Sequence, residues 1–311
     1  MMKSQRKILK KLFLSSHLKL LTTILFCLFW LNVSPGNVQA ENDIPRTTTS
    51  KDGSTISYEI YGEGKIPLIF VHGWCCDSRY WRKQVPFFSK KDRIVLVDLA
   101  GHGHSSAERS NYTMKSFGED VAAVITAINA NKAILIGHSM GGPVIAETAR
   151  IMPDKVIALI GIDTFENIEY PLDEKGKREF LAPLEEDFPS GSSRMVNMMF
   201  SNSTSQRIRD WVVADMSSAP PKVALSANHA YFDRYITGEA ATIFDEVRQP
   251  VYCVSGELWP INYEANRRHM SSFEAITLKG AAHFLMLARP DEFNKALDET
   301  IKTILKNNKL N

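Results

Sequence analysis

Six short apolar runs recur along the chain: IPLIFVHG (66–73), RIVLVDLAG (93–101), KAILIGHS (132–139), VIALIGID (156–163), PVYCVSG (250–256) and FEAITLKG (273–280). Runs of this sort, rich in Val, Ile and Leu, suit strands buried on both faces. Helical patterns at 77–90, 114–130, 140–152, 261–270 and 291–306 separate most of them. That alternation predicts an α/β fold with a mostly parallel central sheet, flanking helices, right-handed crossovers and functional loops at the C-terminal strand ends. Residues 46–63 carry a Lys51-Asp52-Gly53 turn between β-rich flanks and read as an opening hairpin.

One interval breaks the rhythm. Between Thr164 and Glu246 no buried strand is legible, while KGKREFLAPLEED and TSQRIRDWVVADM look helical. The expected organisation is therefore a core of residues 41–163 and 247–311 with a helical cap inserted over 164–246. Phe180, Met195, Met198, Met199, Phe200, Trp211, Tyr231 and Phe232 in that insertion are candidates to line an apolar pocket, or simply to pack the cap helices together.

The first 40 residues differ from the rest. Lys3, Arg6, Lys7, Lys10, Lys11 and Lys19 precede the apolar stretch LLTTILFCLFWLNV, with no acid anywhere in the segment. Pro35 and Gly36 follow, then Val38-Gln39-Ala40, so residues 1–40 read as a secretory signal peptide cut after Ala40, giving a secreted or periplasmic protein with no stable membrane anchor. The competing reading is an uncleaved anchor, for which the apolar stretch is short. Removing those six cations from the chain's 37 Lys and Arg leaves 31 against 35 Asp and Glu, a formal charge of −4 for residues 41–311. The slight basicity thus belongs to the leader, and no nucleic-acid partner is implied. The same segment removes Cys27, leaving Cys75, Cys76 and Cys253, an odd number that speaks against a disulfide framework and matches no zinc spacing.

The chemistry concentrates in Gly137-His138-Ser139-Met140-Gly141-Gly142, placed between a strand and a helix. G-x-S-x-G alone arises by chance in about one chain of this length in ten, so the strand-to-helix setting carries the inference. A serine on so sharp a turn has an exposed hydroxyl, and the Met140 N–H at the helix start points where an oxyanion would develop. His72-Gly73-Trp74 brings a glycine beside that turn, with the Trp74 N–H as second donor. Lys279-Gly280-Ala281-Ala282-His283 follows the last strand and supplies a general base, His283.

With HGW at 72, DLAGHGHS at 98, GHSMGG at 137 and GAAH at 280 in this order, the chain resembles α/β-hydrolase-fold serine hydrolases with a helical cap over residues 46–307. The resemblance implies a Ser139 nucleophile, a His283 base, an oxyanion hole of Trp74 and Met140 N–H groups, and no cofactor or metal. It implies much less about substrate, since similar motifs occur in esterases, lactonases, carbon–carbon hydrolases, perhydrolases and iminopeptidases. In the family the triad acid usually stands three residues beyond the glycine closing the strand PVYCVSG, and here that residue is Trp259. Two carboxylates keep the order Ser, acid, His: Asp163, at an earlier strand end as in some haloalkane dehalogenases and lipases, and Glu257, directly after Gly256. Asp163 is the expected acid and Glu257 the alternative.

The remaining histidines have plainer readings. His102 and His104 sit two apart with no evident third metal ligand, His72 and His138 are expected to hold loops, Asp98 to fix a turn, and His269 to lie on a solvated helix surface. The expected function is hydrolysis of an ester, thioester or similar acyl compound of a small, fairly apolar molecule through an acyl-enzyme. An iminopeptidase is the nearest rival, because Glu166, Glu169, Glu185, Glu186 or Asp187 could bind an amino group. A ligand-binding protein without turnover is the rival of another class.

Overall fold

The computed structural model describes residues 45–309; the expected signal peptide lies outside the described residues. Eight strands form one sheet: β1 (Arg46–Thr49), β2 (Thr55–Tyr61), β3 (Leu68–Val71), β4 (Ile94–Val97), β5 (Ala133–His138), β6 (Val156–Ile162), β7 (Val251–Ser255) and β8 (Phe273–Thr277). Their order is β1-β2-β4-β3-β5-β6-β7-β8. All pairs from β4 across to β8 are parallel, and β2 is antiparallel to both neighbours, because the hairpin that opens the chain reverses direction within a short turn. Every residue of β3, β4, β5, β6 and β7 is buried, whereas the edge strands β1 and β8 are largely exposed. Full burial thus falls on strands inside the parallel part of the sheet, where the sequence shows unbroken apolar runs.

Helices α1 (Met114–Ala127), α2 (Gly141–Ile151), α3 (Glu174–Glu186), α4 (Phe188–Asn197), α5 (Gln206–Ser217), α6 (Pro221–Ile236), α7 (Tyr263–His269) and α8 (Pro290–Asn307) complete the frame, with single turns between some of them. Thr113 and Ser116 form a reciprocal capping box that starts α1. Asp173 caps α3 and Asp187 caps α4 by accepting backbone N–H groups. The pattern at 77–90 does not form one helix. It makes a 3-10 turn at Ser78–Trp81 and one α-turn at Val85–Phe88, because Pro86 has no N–H to continue the ladder. Tyr80, Trp81 and Phe88 still bury their rings, with Trp81 edge-on to Phe70 at 5.0 Å. Packing therefore uses the apolar face that the helical reading expected.

Between β6 and β7 the described chain has no strand: a loop leads into α3 to α6, followed by short turns at Glu239–Thr242 and Ile243–Asp245. Contacts tie this segment to loops and turns of the core at several points. The Trp74 indole N–H donates to Ala224 O at 2.8 Å, the Tyr112 N–H to Ser226 Oγ at 3.0 Å, and Arg79 pairs with Asp215 at 2.5 Å. Cys75, Cys76 and Cys253 are free and buried, acting as packing groups. Among the described residues no helix is long and apolar enough to cross a membrane.

Candidate active site

Strand register builds the site. The last pair of β5 and β6 is His138 with Ile162, so the next residues, Ser139 and Asp163, stand side by side at adjacent strand tips. Both have left-handed backbones, φ 53° at Ser139 and 46° at Asp163. A non-glycine residue held there costs about 1–3 kcal/mol, and such strain collects at functional turns. The Ser139 turn is fastened on both sides: its N–H donates to Ile162 O at 3.0 Å, and its carbonyl accepts the Gly142 N–H at 2.8 Å. Two glycines make the turn possible. A Cβ at Gly137 would lie 2.3 Å from Gly141 O, and one at Gly73 would lie 2.9 Å from His138 Nδ1 and 3.1 Å from Ser139 Cβ. Met140 precedes α2, and Trp74 follows Gly73. Among the described residues neither backbone N–H has a hydrogen-bond partner, and both residues line the cavity that Ser139 faces.

His283 Nδ1 lies 2.7 Å from Asp163 Oδ2. The other carboxylate oxygen accepts the Gly256 N–H at 2.7 Å, and the Asp163 N–H donates to Val254 O at 3.1 Å. Burial pushes the Asp163 carboxyl up, but the hydrogen bond and charge of His283 and the Gly256 N–H outweigh it, holding the group below its ordinary 3.8. A carboxylate at Nδ1 fixes the proton there and leaves Nε2 as the basic nitrogen. The ring is also held through its backbone, since His138 Nε2 donates to His283 O at 2.9 Å. Burial above all, with the neighbouring His283 imidazole adding to it, pushes His138 down to about 3, so it stays neutral as a strut. Ser139 Oγ and His283 share the cavity without a hydrogen bond between them, a looseness common before substrate binds.

Glu257, the alternative acid, does not pair with His283. Its Oε2 accepts the Gly280 N–H at 2.6 Å and so holds the left-handed turn at Gly280, φ 70°, that leads into the histidine loop. Trp259, at the position where the family's acid usually stands, lies edge-on to the His283 ring at 5.3 Å and 85°. An aromatic edge packs the imidazole but accepts no hydrogen bond from Nδ1, which here goes to Asp163.

The other expected residues fall into place around this set. His72 Nδ1 donates to Gly73 O at 2.8 Å while Nε2 accepts the Leu99 N–H at 3.0 Å, tying two strand-end loops together. Asp98 accepts from the Ser78 N–H at 2.8 Å and the His104 N–H at 3.0 Å, which makes it the pin of the GHGHS turn. His102 is buried, bonded to Ala100 O at 3.1 Å, whereas His104 is exposed, so the two do not converge. His269 departs from the expectation of free surface. Its Nδ1 meets Asp245 at 2.9 Å and its Nε2 meets Glu169 at 3.0 Å, joining both ends of the helical insertion to α7. Because its partners come from distant sequence, no local pattern announces this clamp.

The cavity measures about 200 Å³. Phe180, Met195, Met199, Tyr231 and Phe232 from the insertion form its apolar wall, with Trp74 and Trp259 from the core. Three expected lining residues are elsewhere: Met198 is exposed, Phe200 packs on Phe284 at 5.3 Å, and Trp211 lies under the Arg82 guanidinium at 3.8 Å. A larger open depression of about 870 Å³ beside Trp211 holds neither Ser139 nor His283. Of the five acids offered as amine receptors, only Glu166 faces the cavity. Glu169 pairs with Arg268 and His269, Glu185 with His229, Asp187 caps α4, and Glu186 is exposed.

Comparison with known proteins fits this geometry. The family described as alpha/beta hydrolase fold matches residues 66–256. A non-heme chloroperoxidase of Streptomyces lividans is 36% identical over 113 residues, covering 35% of this chain and 41% of its own length. A bifunctional esterase/perhydrolase of Acinetobacter calcoaceticus is 37% identical over 112 residues, again 35% and 41%. The chain thus spans about two fifths of the length of these curated relatives. In structure it resembles a bromoperoxidase from Bacillus anthracis (TM-score 0.72, 21% identity, 83% of this chain and 100% of the other) and a thermophilic esterase from Thermogutta terrifontis (0.70, 22%, 84% and 99%). The sheet, the strand-to-helix turn bearing Ser139 and the family match over 66–256 agree: this chain belongs to the alpha/beta-hydrolase-fold family.

Proposed function

We propose that the protein is a serine hydrolase that cleaves an ester or related acyl bond of a small, fairly apolar molecule through an acyl-enzyme. The observation that carries this reading is the 2.7 Å contact between Asp163 and His283 in the cavity that Ser139 faces. Ser139 Oγ attacks the carbonyl carbon while His283 Nε2 takes its proton, and the oxyanion forms between the Trp74 and Met140 N–H groups. Collapse expels the alcohol, which leaves with the proton from His283. A water then repeats the sequence on the acyl-enzyme, regenerating Ser139. Asp163 holds the imidazole's tautomer and stabilises the imidazolium formed in each step. The insertion over 164–246 acts as the cap that shapes the acyl pocket.

A fluorophosphonate probe tests the reading, combined with a hydrolysis screen over p-nitrophenyl esters of graded chain length, lactones and aminoacyl naphthylamides. Rapid labelling of Ser139 with ester turnover is the expected result; tight ligand binding without labelling would favour a receptor. The iminopeptidase reading keeps one supporting observation, Glu166 in the cavity wall, and turnover of the naphthylamides ahead of the esters would favour it. We also propose export, with cleavage after Ala40, motivated by the basic start and apolar stretch of residues 1–40. N-terminal sequencing of secreted material should read Glu41 first, and an intact Met1 end in a membrane fraction would overturn it.

A further inference from the structure

Glu166 leaves β6 three residues after Asp163 and lines the same cavity as Ser139 and His283. Its Oε1 accepts a hydrogen bond from Ser255 Oγ at 3.2 Å. The titratable groups that face it are the Asp163 carboxylate, the Tyr231 and Tyr235 phenols from α6, and the Cys253 thiol from β7; its own N–H is its remaining polar contact. None of these is a cation. A carboxyl enclosed by aromatic rings, a thiol and a like charge is cheaper neutral than ionised. Burial, with the charge of Asp163 added, pushes it up to about 8. Since Oε1 is occupied as an acceptor, the proton falls on Oε2.

A cavity of about 200 Å³ holds one short half of an ester, and the acyl half is the part that stays bound through both chemical steps. We propose that Glu166 is a specificity-determining residue of this site: its carboxyl O–H donates a hydrogen bond to an oxygen on the acyl group, so the cavity prefers acyl esters with a second carbonyl over plain alkyl esters. This rests on the serine-hydrolase reading above and adds the substrate class. The donor exists only while the group is protonated. The preference is therefore present at neutral pH and fades as pH rises through about 8.

Two pairs of p-nitrophenyl esters matched in chain length, pentanoate with 4-oxopentanoate and hexanoate with 5-oxohexanoate, test this on the purified protein between pH 6 and 9.5. Each kcat/KM is corrected by the ester's rate of hydroxide hydrolysis. The keto member of at least one pair is expected to be favoured by up to about tenfold at pH 6.5, the range that one hydrogen bond covers. In Glu166→Gln, whose amide still donates and does not ionise, the ratio should hold across the pH range. In Glu166→Met it should fall to unity. Equal ratios in the wild type and Glu166→Met overturn the proposal; should the Met variant not fold, a wild-type ratio that is flat with pH and matches that of Glu166→Gln at pH 9.5 does the same. A 4-(trimethylammonio)butanoate ester favoured over hexanoate already at pH 6.5 also overturns it, making Glu166 an ionised receptor for cations at neutral pH. Turnover of all esters with flat ratios removes this inference alone, whereas no turnover and no labelling of Ser139 removes the hydrolase reading together with it.

Discussion

The strand tips and the helical insertion meet around one cavity but are specified in different ways. At the tips, hydrogen-bond register places each group: Ser139 and Asp163 are adjacent because His138 pairs with Ile162, and Gly256 reaches Asp163 because Val254 pairs with Ile162. Little freedom remains once the sheet forms. In the insertion, Phe180, Phe232 and Met195 reach the cavity only through the packing of α3, α4 and α6, and Phe180 remains 40% exposed. Under the proposed function, the tips fix which reaction is possible and the insertion fixes which molecule undergoes it. Substitutions at the tips should destroy rate, while those in the insertion should redirect selectivity or stability.

The largest expected effect is Ser139→Ala, which should lower kcat by about 10⁶ and abolish burst-phase acylation while the fold survives. Retention of a tenth of wild-type turnover would break the comparison at its root. Next, Asp163→Asn should cost about 10⁴ in kcat, since it reverses the hydrogen bond that sets the His283 tautomer. Glu257→Gln, which touches only the Gly280 turn, should cost less than tenfold; an exchange of these two results in steady-state kinetics would reassign the acid. On the other side of the cavity, Phe180→Ala should raise kcat/KM for longer acyl chains relative to short ones by roughly tenfold, the scale set by apolar contacts in a pocket. A uniform loss across chain lengths would show that Phe180 serves folding rather than selection.

Two smaller effects concern stability. Glu166 has its folded value raised from 4.5 to about 8, so folding favours its protonated form. The stability this contributes is complete below about 4.5 and lost as pH rises to about 8. Thermal unfolding of Glu166→Gln should accordingly gain on the wild type across that window and hold a constant advantage above it. Asp163 runs the opposite way: its lowered value means that its contribution is present above 3.8 and lost as pH falls below it. The smallest effect is expected from His269→Gln, which weakens the clamp on the insertion's two ends. A melting-temperature change of no more than about 3 °C fits the partial exposure of its carboxylate partners.

Much of the frame was readable beforehand, for identifiable reasons. Strands buried on both faces must be apolar throughout, and β3 to β7 show it. The Ser139 turn was legible because it needs small residues at fixed offsets. At 77–90 a helical apolar pattern also suits two short turns, and Pro86, at the start of the second, has no N–H to join them into one helix. Asp163 could be favoured over Glu257 from its place at a strand tip, but its contact with His283 spans 120 residues and depends on the whole sheet. His269 was misread for the same reason, as Glu169 and Asp245 reach it from both ends of an insertion whose path no local pattern describes.

The sequence by itself therefore determined the sheet, the insertion point and the candidate nucleophile and base, because each is encoded in residues within a few positions of one another. Only the tertiary structure decided that Trp259 packs against His283, that Glu257 holds a turn, and that Glu166 alone among the insertion's candidate acids faces the cavity. Those outcomes depend on which distant surfaces meet, and a side chain's charge and partners are set by that meeting rather than by its neighbours along the chain.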